Sequence, residues 1–335
     1  MRKRTRTAVV ASAALTALAL ATAATAAYTT PKLSVSYATG NVTRIVASAA
    51  VTDDATARAA IVIPNGTTIT TTAAPGTKVG TVKAQVSALA LGGALLPLAG
   101  DILVAPPGAV PAASQTACIG AVTPQATLLL VLQAAGQTIN LPAYVIPTSG
   151  AQAALGAAQL VFCLAPPDIP PPNGATFGAK FLSADLTVTN VFGPIPQGAW
   201  IAFWTPWNPG VGTPNTAATV ASPAAIAAGG ITLAGKKVKK VRRLTGKVTQ
   251  GGAGVATKVT ILGGTKRLAT VSAKADGSFA YTVPKTSKAT TFKATATVAG
   301  RDAPAVCSQF SALGVPCTNP TISGFSATSG TVRLK

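Results

Sequence analysis

Along most of this chain, apolar residues recur at every second position or in short unbroken runs, and Gly, Pro, Asn or Ser bounds each run. That is the pattern of strands and turns. Almost no stretch carries a helical period. Strands are predicted at 32–38, 57–63, 79–86, 101–105, 127–133, 144–147, 159–164, 182–191 and 199–204. So many short strands with dense turns predict an all-β chain built as one large antiparallel β-sandwich or two smaller ones. Segment 89–98 is ambiguous: its Ala and Leu residues favour a short helix, but Gly92, Gly93 and Pro97 interrupt it. Two stretches read as connectors. Residues 165–174 carry five prolines and predict an extended, polyproline-like crossing. Residues 222–234 lead into an abrupt change of composition and predict a domain boundary.

Beyond that boundary the alternation is at its clearest. Phe292, Ala294, Ala296 and Val298 fall on one face of a strand, with Lys293, Thr295 and Thr297 on the other. Val259 and Ile261 alternate in the same way, and Asp276-Gly277 is a turn signal between two runs. The succession Leu-Thr-Gly-Lys-Val-Thr at 244–249, Gly-Ala-Gly-Val at 252–255, Lys-Val-Thr-Ile-Leu at 258–262 and Ala-Asp-Gly-Ser-Phe-Ala-Tyr-Thr-Val-Pro at 275–284 resembles the carboxypeptidase regulatory-like or bacterial Ig-like modules of exported proteins. The resemblance implies a prealbumin-like sandwich of about seven strands and an accessory role of spacing, stabilising or binding, without peptidase activity. The chain then divides into a leader (1–27), an N-terminal sandwich region (28–228), a linker (229–235), a basic module (236–302) and a Cys-containing tail (303–335). Residues 28–228 resemble no family.

The leader reading rests on Arg2, Lys3, Arg4 and Arg6, followed by a small apolar run that ends in Ala24-Thr-Ala-Ala27. This is the order of a secretory signal peptide, cleaved after Ala26 or Ala27; an uncleaved anchor is the alternative. No later apolar run reaches bilayer-spanning length, so the mature chain is expected to lack a transmembrane span. Export makes disulfides the default for Cys118, Cys163, Cys307 and Cys317. Proximity in sequence favours Cys118 with Cys163 and Cys307 with Cys317, although three pairings are possible. Composition rich in Ala, Thr, Gly and Pro is that of a high-GC bacterial protein.

Charge is segregated. Residues 28–235 hold six Lys or Arg and five Asp, whereas residues 236–335 hold seventeen and two. The densest cluster is Lys236, Lys237, Lys239, Lys240, Arg242 and Arg243. Such a cluster binds polyanions, here an anionic cell-envelope polymer, a phospholipid surface or extracellular nucleic acid. It also fits a solvated basic linker that keeps an apolar chain in solution. Sequence-specific nucleic-acid recognition is not expected, because no helix-turn-helix or zinc-finger pattern occurs.

The chemistry available is narrow. The chain has no His and no Glu, and its acidic residues are seven Asp. The usual acid/base groups and metal ligands are therefore missing, so no enzyme activity, metal or cofactor is expected. The adjacent Asp53 and Asp54 read as loop residues facing water, or as ligands for calcium. Trp200, Trp204, Trp207 and Asn208 form the one polar-aromatic element. Trp200 and Trp204 share a strand face that either packs in the core or, if exposed, stacks on sugar rings; Trp207 and Asn208 are expected to be the more exposed members. The resulting expectation is an exported cell-envelope or secreted structural or adhesive binding protein, held on an anionic surface by its basic module. A carbohydrate-binding protein is the alternative, and an Asp-only or Ser-Lys hydrolase the third reading.

Overall fold

The computed structural model describes residues 28–334 apart from 39, 71–72, 135 and 194–197, and the backbone alone at 309–313. The expected leader at 1–27 lies outside the described residues. Eleven strands come first: β1 (Lys32–Ala38), β2 (Val42–Ser48), β3 (Thr56–Ile63), β4 (Lys78–Ala88), β5 (Ala94–Val104), β6 (Ala126–Ala134), β7 (Gln137–Pro147), β8 (Ala158–Cys163), β9 (Ala179–Thr189), β10 (Gly198–Pro206) and β11 (Val220–Ile226). They pair antiparallel in the order β1-β2-β9-β4-β5-β6-β7-β8-β3-β10-β11. The sheet rolls on itself so that its two halves face each other, sandwich-like, across one apolar interior that includes Leu33, Ile61, Leu130, Leu160, Trp200 and Trp204. Strands β3, β8 and β10 are buried on their outer face as well, through Ala60, Val62, Val161, Ile201 and Phe203. This double burial explains their unbroken apolar runs. Their cover is α1 (Ala112–Ile119), a helix whose weak apolar period hides it in the sequence. The Cys118–Cys163 disulfide pins α1 to β8. By loop-closure entropy its 45-residue separation stabilises the fold by about 4 kcal/mol.

Next come β12 (Gly229–Val238), β13 (Val241–Gln250), β14 (Ala253–Gly254), β15 (Lys258–Gly263), β16 (Lys266–Ser272), β17 (Ser278–Val283) and β18 (Thr291–Val298). The hairpin β12–β13 with β14 and β17 makes one sheet; β16-β15-β18 begins a second. Leu244, Val248, Val259, Ile261, Phe279 and Phe292 fill the space between the two. The chain ends in β19 (Arg301–Asp302), β20 (Thr321–Ile322), β21 (Gly324–Thr328) and β22 (Val332–Arg333).

These last strands join the two halves of the molecule. β20 pairs parallel with β11, β21 pairs parallel with β1, and β21 and β22 pair antiparallel with β18. The segment thus fills the seam where the first and last strands of the rolled sheet meet. Side chains fasten it there: Thr321 Oγ1 donates to Leu33 O (2.7 Å), and Asn319 Nδ2 to Pro31 O (3.1 Å). Ser222 Oγ on β11 also donates to Pro31 O (2.7 Å). Cys307–Cys317 closes the loop that leads in, and Ala221 N bonds Pro316 O.

Three expectations are revised and one ambiguity is settled. Residues 229–235, expected as a linker, are the first part of β12, and 222–234 contains no loose connector because β11 and β12 nearly abut. Residues 303–335, expected as a tail, supply strands to both sheet systems. Segment 89–98 is a single 3-10 turn at Leu89–Leu91 followed by the start of β5. Residues 165–174 fold back in turns instead of extending: Ala175 N bonds Pro166 O and Gly174 N bonds Pro170 O. A Cβ at Gly174 would lie 1.5 Å from Ile169 O, so only glycine permits that compaction.

Two phenols pack into the roll, Tyr28 buried and Tyr37 partly buried. Burial pushes both Tyr28 and Tyr37 well above the usual tyrosine range, against the opposing effect of hydrogen bonds with Thr56 and Trp200 respectively. A phenol in the unfolded chain ionises near pH 10. The stability these two contribute is therefore complete below about pH 10 and is lost as pH rises beyond it. Alkaline titration is expected to show phenolate absorbance from Tyr28 and Tyr37 only as the protein unfolds. A Tyr28→Phe/Tyr37→Phe variant that removed absorbance from the still-folded protein at pH about 11 would contradict this.

A cationic pole as the candidate binding site

The basic cluster is the end of the β12–β13 hairpin. Val238 pairs with Val241, and Lys239-Lys240 forms the turn between them, with Lys239 at φ 54°. The register sets Lys236 opposite Arg243 and Lys237 opposite Arg242. Like charges directly opposite each other destabilise a strand pair, so nothing in hairpin formation itself accounts for these residues.

Arg242 differs from the rest. It points inward, donates to Ala289 O (2.5 Å) and Ser287 O (2.6 Å), and sits over the Phe292 ring at 5.7 Å. It is an internal cap for the 284–290 loop, half-buried, whereas Lys236, Lys237, Lys239, Lys240 and Arg243 are exposed. Arg242→Ala is accordingly expected to lower stability by about 2 kcal/mol, and Arg243→Ala by no more than about 0.5 kcal/mol. Urea unfolding of the two variants distinguishes them, and equal losses would contradict the assignment.

The fold enlarges the cluster beyond its sequence. The loop that Arg242 caps brings Lys285 and Lys288 to the same end, and β22 places Arg333 there beside Thr291. The β15–β16 turn adds Lys266 and Arg267, and Arg267 is level with Lys293 of β18 across Leu262 of β15. The module's two aspartates lie at the other end. Asp276 accepts from Ser278 N (2.9 Å) and Ser278 Oγ (2.7 Å), bonds that hold its carboxyl below the usual range, and Asp302 pairs with Lys32 of the roll. This pole points away from the roll, since β21 leaves β1 at Tyr37 and runs on along β18 toward β22.

In the roll, several charges are held by local partners. Arg44 grips Asp185 with two bonds (2.8 and 2.6 Å), Lys78 pairs with Asp101 (2.7 Å), and Lys180 donates to Val51 O (2.8 Å) and to Asp53 O. Asp53 is buried and not the solvated loop residue expected. Its oxygens accept from Thr29 N (3.0 Å), Thr30 N (3.2 Å), Ala50 N (3.2 Å) and Thr30 Oγ1. Donors on every side are the opposite of what a calcium ion requires. Asp53→Ala leaves the N–H groups of Thr29 and Thr30 without their acceptor, while Ala50 N keeps Thr30 Oγ1 (2.8 Å), and is expected to cost about 3 kcal/mol. A thermal melt in which that variant matches the parent protein would contradict this role.

The tryptophan element is structural. Trp200 and Trp204 are 0% and 1% exposed, so neither ring is available to stack on a sugar. Trp200 packs edge-on to Phe192, and Trp204 Nε1 donates to Ser222 Oγ (3.1 Å). Trp207 and Asn208 are half-buried. Asn208 closes its loop through Thr213 (Nδ2 to Oγ1, 3.1 Å), and Trp207 Nε1 has no hydrogen-bond partner among the described residues. Asp168, set in the proline connector, accepts from Gly210 N and so ties that connector to the same loop.

No family model matches the chain, and no curated protein matches it. One solved structure, described as "Structural insight into host cell surface retention of a 1.5-MDa bacterial ice-binding adhesin", is similar over 90% of this chain and 96% of that chain, at 10% identity and a TM-score of 0.22. A likeness at that level carries no argument about fold or function. No helix among the described residues is long and apolar enough to cross a membrane.

Proposed function

We propose that this is an exported binding protein of the cell envelope or its surroundings, attached to an anionic surface through the cationic pole. The observation that carries the reading is the concentration of exposed cations at one end of the module, with like charges paired across the hairpin and both module aspartates at the far end. Clustered positive charge of this kind raises local potential and draws in polyanions. Two disulfides agree with an oxidising compartment, and residues 1–27 have the order of an export leader. Binding is favoured over catalysis because Asp53, Asp101, Asp168, Asp185, Asp276 and Asp302 each hold a structural partner.

The test is retention on isolated Gram-positive envelopes by the full chain and by a Lys236→Gln/Lys239→Gln/Lys240→Gln/Arg243→Gln variant. Arg242 is kept because the fold uses it. Retention is expected to fall by at least about tenfold in the variant with an unchanged melting curve. Undiminished retention would contradict the reading. Deleting 236–302 is not an equivalent experiment, because it removes β18 and with it a partner of β21 and β22.

A further inference from the structure

The same hairpin end carries an apolar pair. Val238 and Val241 are 54% and 44% exposed and lie directly opposite each other on the last rung before the turn. Strand alternation puts them on the outer face of the sheet with Lys236 and Arg243, the next residues on that face, while Lys239 and Lys240 follow immediately at the turn. Two valines are thus bracketed by cations in front and behind. Beyond the cations, Ala234, Thr245 and Thr282 on this outer face are small and uncharged, and the next charge along β13 on that face is another cation, the exposed Lys247, so the sheet can lie flat against an anionic surface.

A phosphate polymer in water makes use of such cations and has no use for the valines. An anionic phospholipid bilayer makes use of both, because its phosphates overlie hydrocarbon and long Lys and Arg side chains reach the former while short apolar ones enter the latter. We propose that the outer face of the β12–β13 hairpin end docks on an anionic phospholipid bilayer, with Val238 and Val241 at the boundary between headgroups and acyl chains. This rests on the cationic-pole reading and narrows its partner to lipid.

The molecule contains its own control. Leu89, Leu91 and Leu95 are 47%, 51% and 56% exposed at the β4–β5 hairpin end of the roll, away from the cationic pole. The experiment measures the full chain on vesicles of phosphatidylglycerol and phosphatidylcholine in about a 1:2 ratio, on phosphatidylcholine alone, and on soluble polyphosphate. Val238→Ser/Val241→Ser is expected to weaken partitioning onto the anionic vesicles about tenfold while leaving polyphosphate affinity unchanged. Leu89→Ser/Leu91→Ser/Leu95→Ser is expected to change neither, and vesicles of phosphatidylcholine alone to bind weakly. Full vesicle binding by the valine variant would overturn insertion while leaving the cationic pole in place. Loss of vesicle binding in the leucine variant, or equal binding to neutral vesicles, would overturn it as well. The four-cation variant tests the underlying reading separately, through polyphosphate affinity.

Discussion

A chain truncated after Asp302 is expected not to fold cooperatively. The missing residues supply β20 and β21, which occupy the seam between β11 and β1, and β21 and β22, which border β18. Without them Leu33 O loses its Thr321 partner, Pro31 O keeps only Ser222 of its two side-chain donors, and the module core loses Phe325, Ala327 and Val332. Two sheet edges are exposed at once, and exposed edges recruit other chains. Folded domains are stable by only about 5–15 kcal/mol, and losing two ladders with the apolar area behind them is of that order. Urea unfolding followed by circular dichroism is the check. A truncated chain with the midpoint and slope of the full one would show that the seam closes without this segment.

Trp200→Ala is expected to have the largest effect of any single substitution in the roll. The ring is fully buried, meets Phe192 at 5.0 Å and 85°, and its Nε1 donates to Tyr37 Oη. Removing a buried Trp costs about 3–5 kcal/mol through lost transfer energy and the cavity left behind. The partly buried Tyr37 hydroxyl would lose this partner, for a further loss of about 1 kcal/mol. Equilibrium urea unfolding measures the sum. A loss below about 1 kcal/mol would mean that the ring is not a core element and would return the sugar-stacking reading to consideration.

Local pattern carried much of this fold. β1 runs over the residues that alternation predicts, and β3, β6, β8 and β10 begin and end within two residues of expectation. What alternation cannot supply is which face is wet. On β10 both faces are buried, so no polar residue marks the interior side, and alternation alone leaves Trp200 and Trp204 open to core packing, the favoured reading, or to a ligand. β11 was obscured by Ser222 and Pro223, which read as loop. Both are buried, and proline is tolerated because one side of β11 faces the seam and not a full-length ladder. β12 was hidden by its lysines, which describe the solvent around a strand and not its absence. The closing role of 316–328 depends on pairing with residues nearly 290 positions away, beyond any local period. At the candidate site the six cations of 236–243 were legible as a cluster, but the inward turn of Arg242 was not, because it depends on where the 284–290 loop presents Ala289 O and Ser287 O. The valine pair was legible only after the register placed Val238 opposite Val241.

Attachment through the cationic pole is tested most directly by the salt dependence of polyphosphate binding, compared between the full chain and the variant neutralised at Lys236, Lys239, Lys240 and Arg243. Each cation that engages a phosphate contributes close to one unit to the slope of log affinity against log salt. The full chain is expected to show a steep negative slope, and the variant a slope shallower by about 3 units at unchanged stability. Equal slopes in the two proteins would mean that these side chains do not meet the polyanion, and that the charge of the pole serves solubility alone.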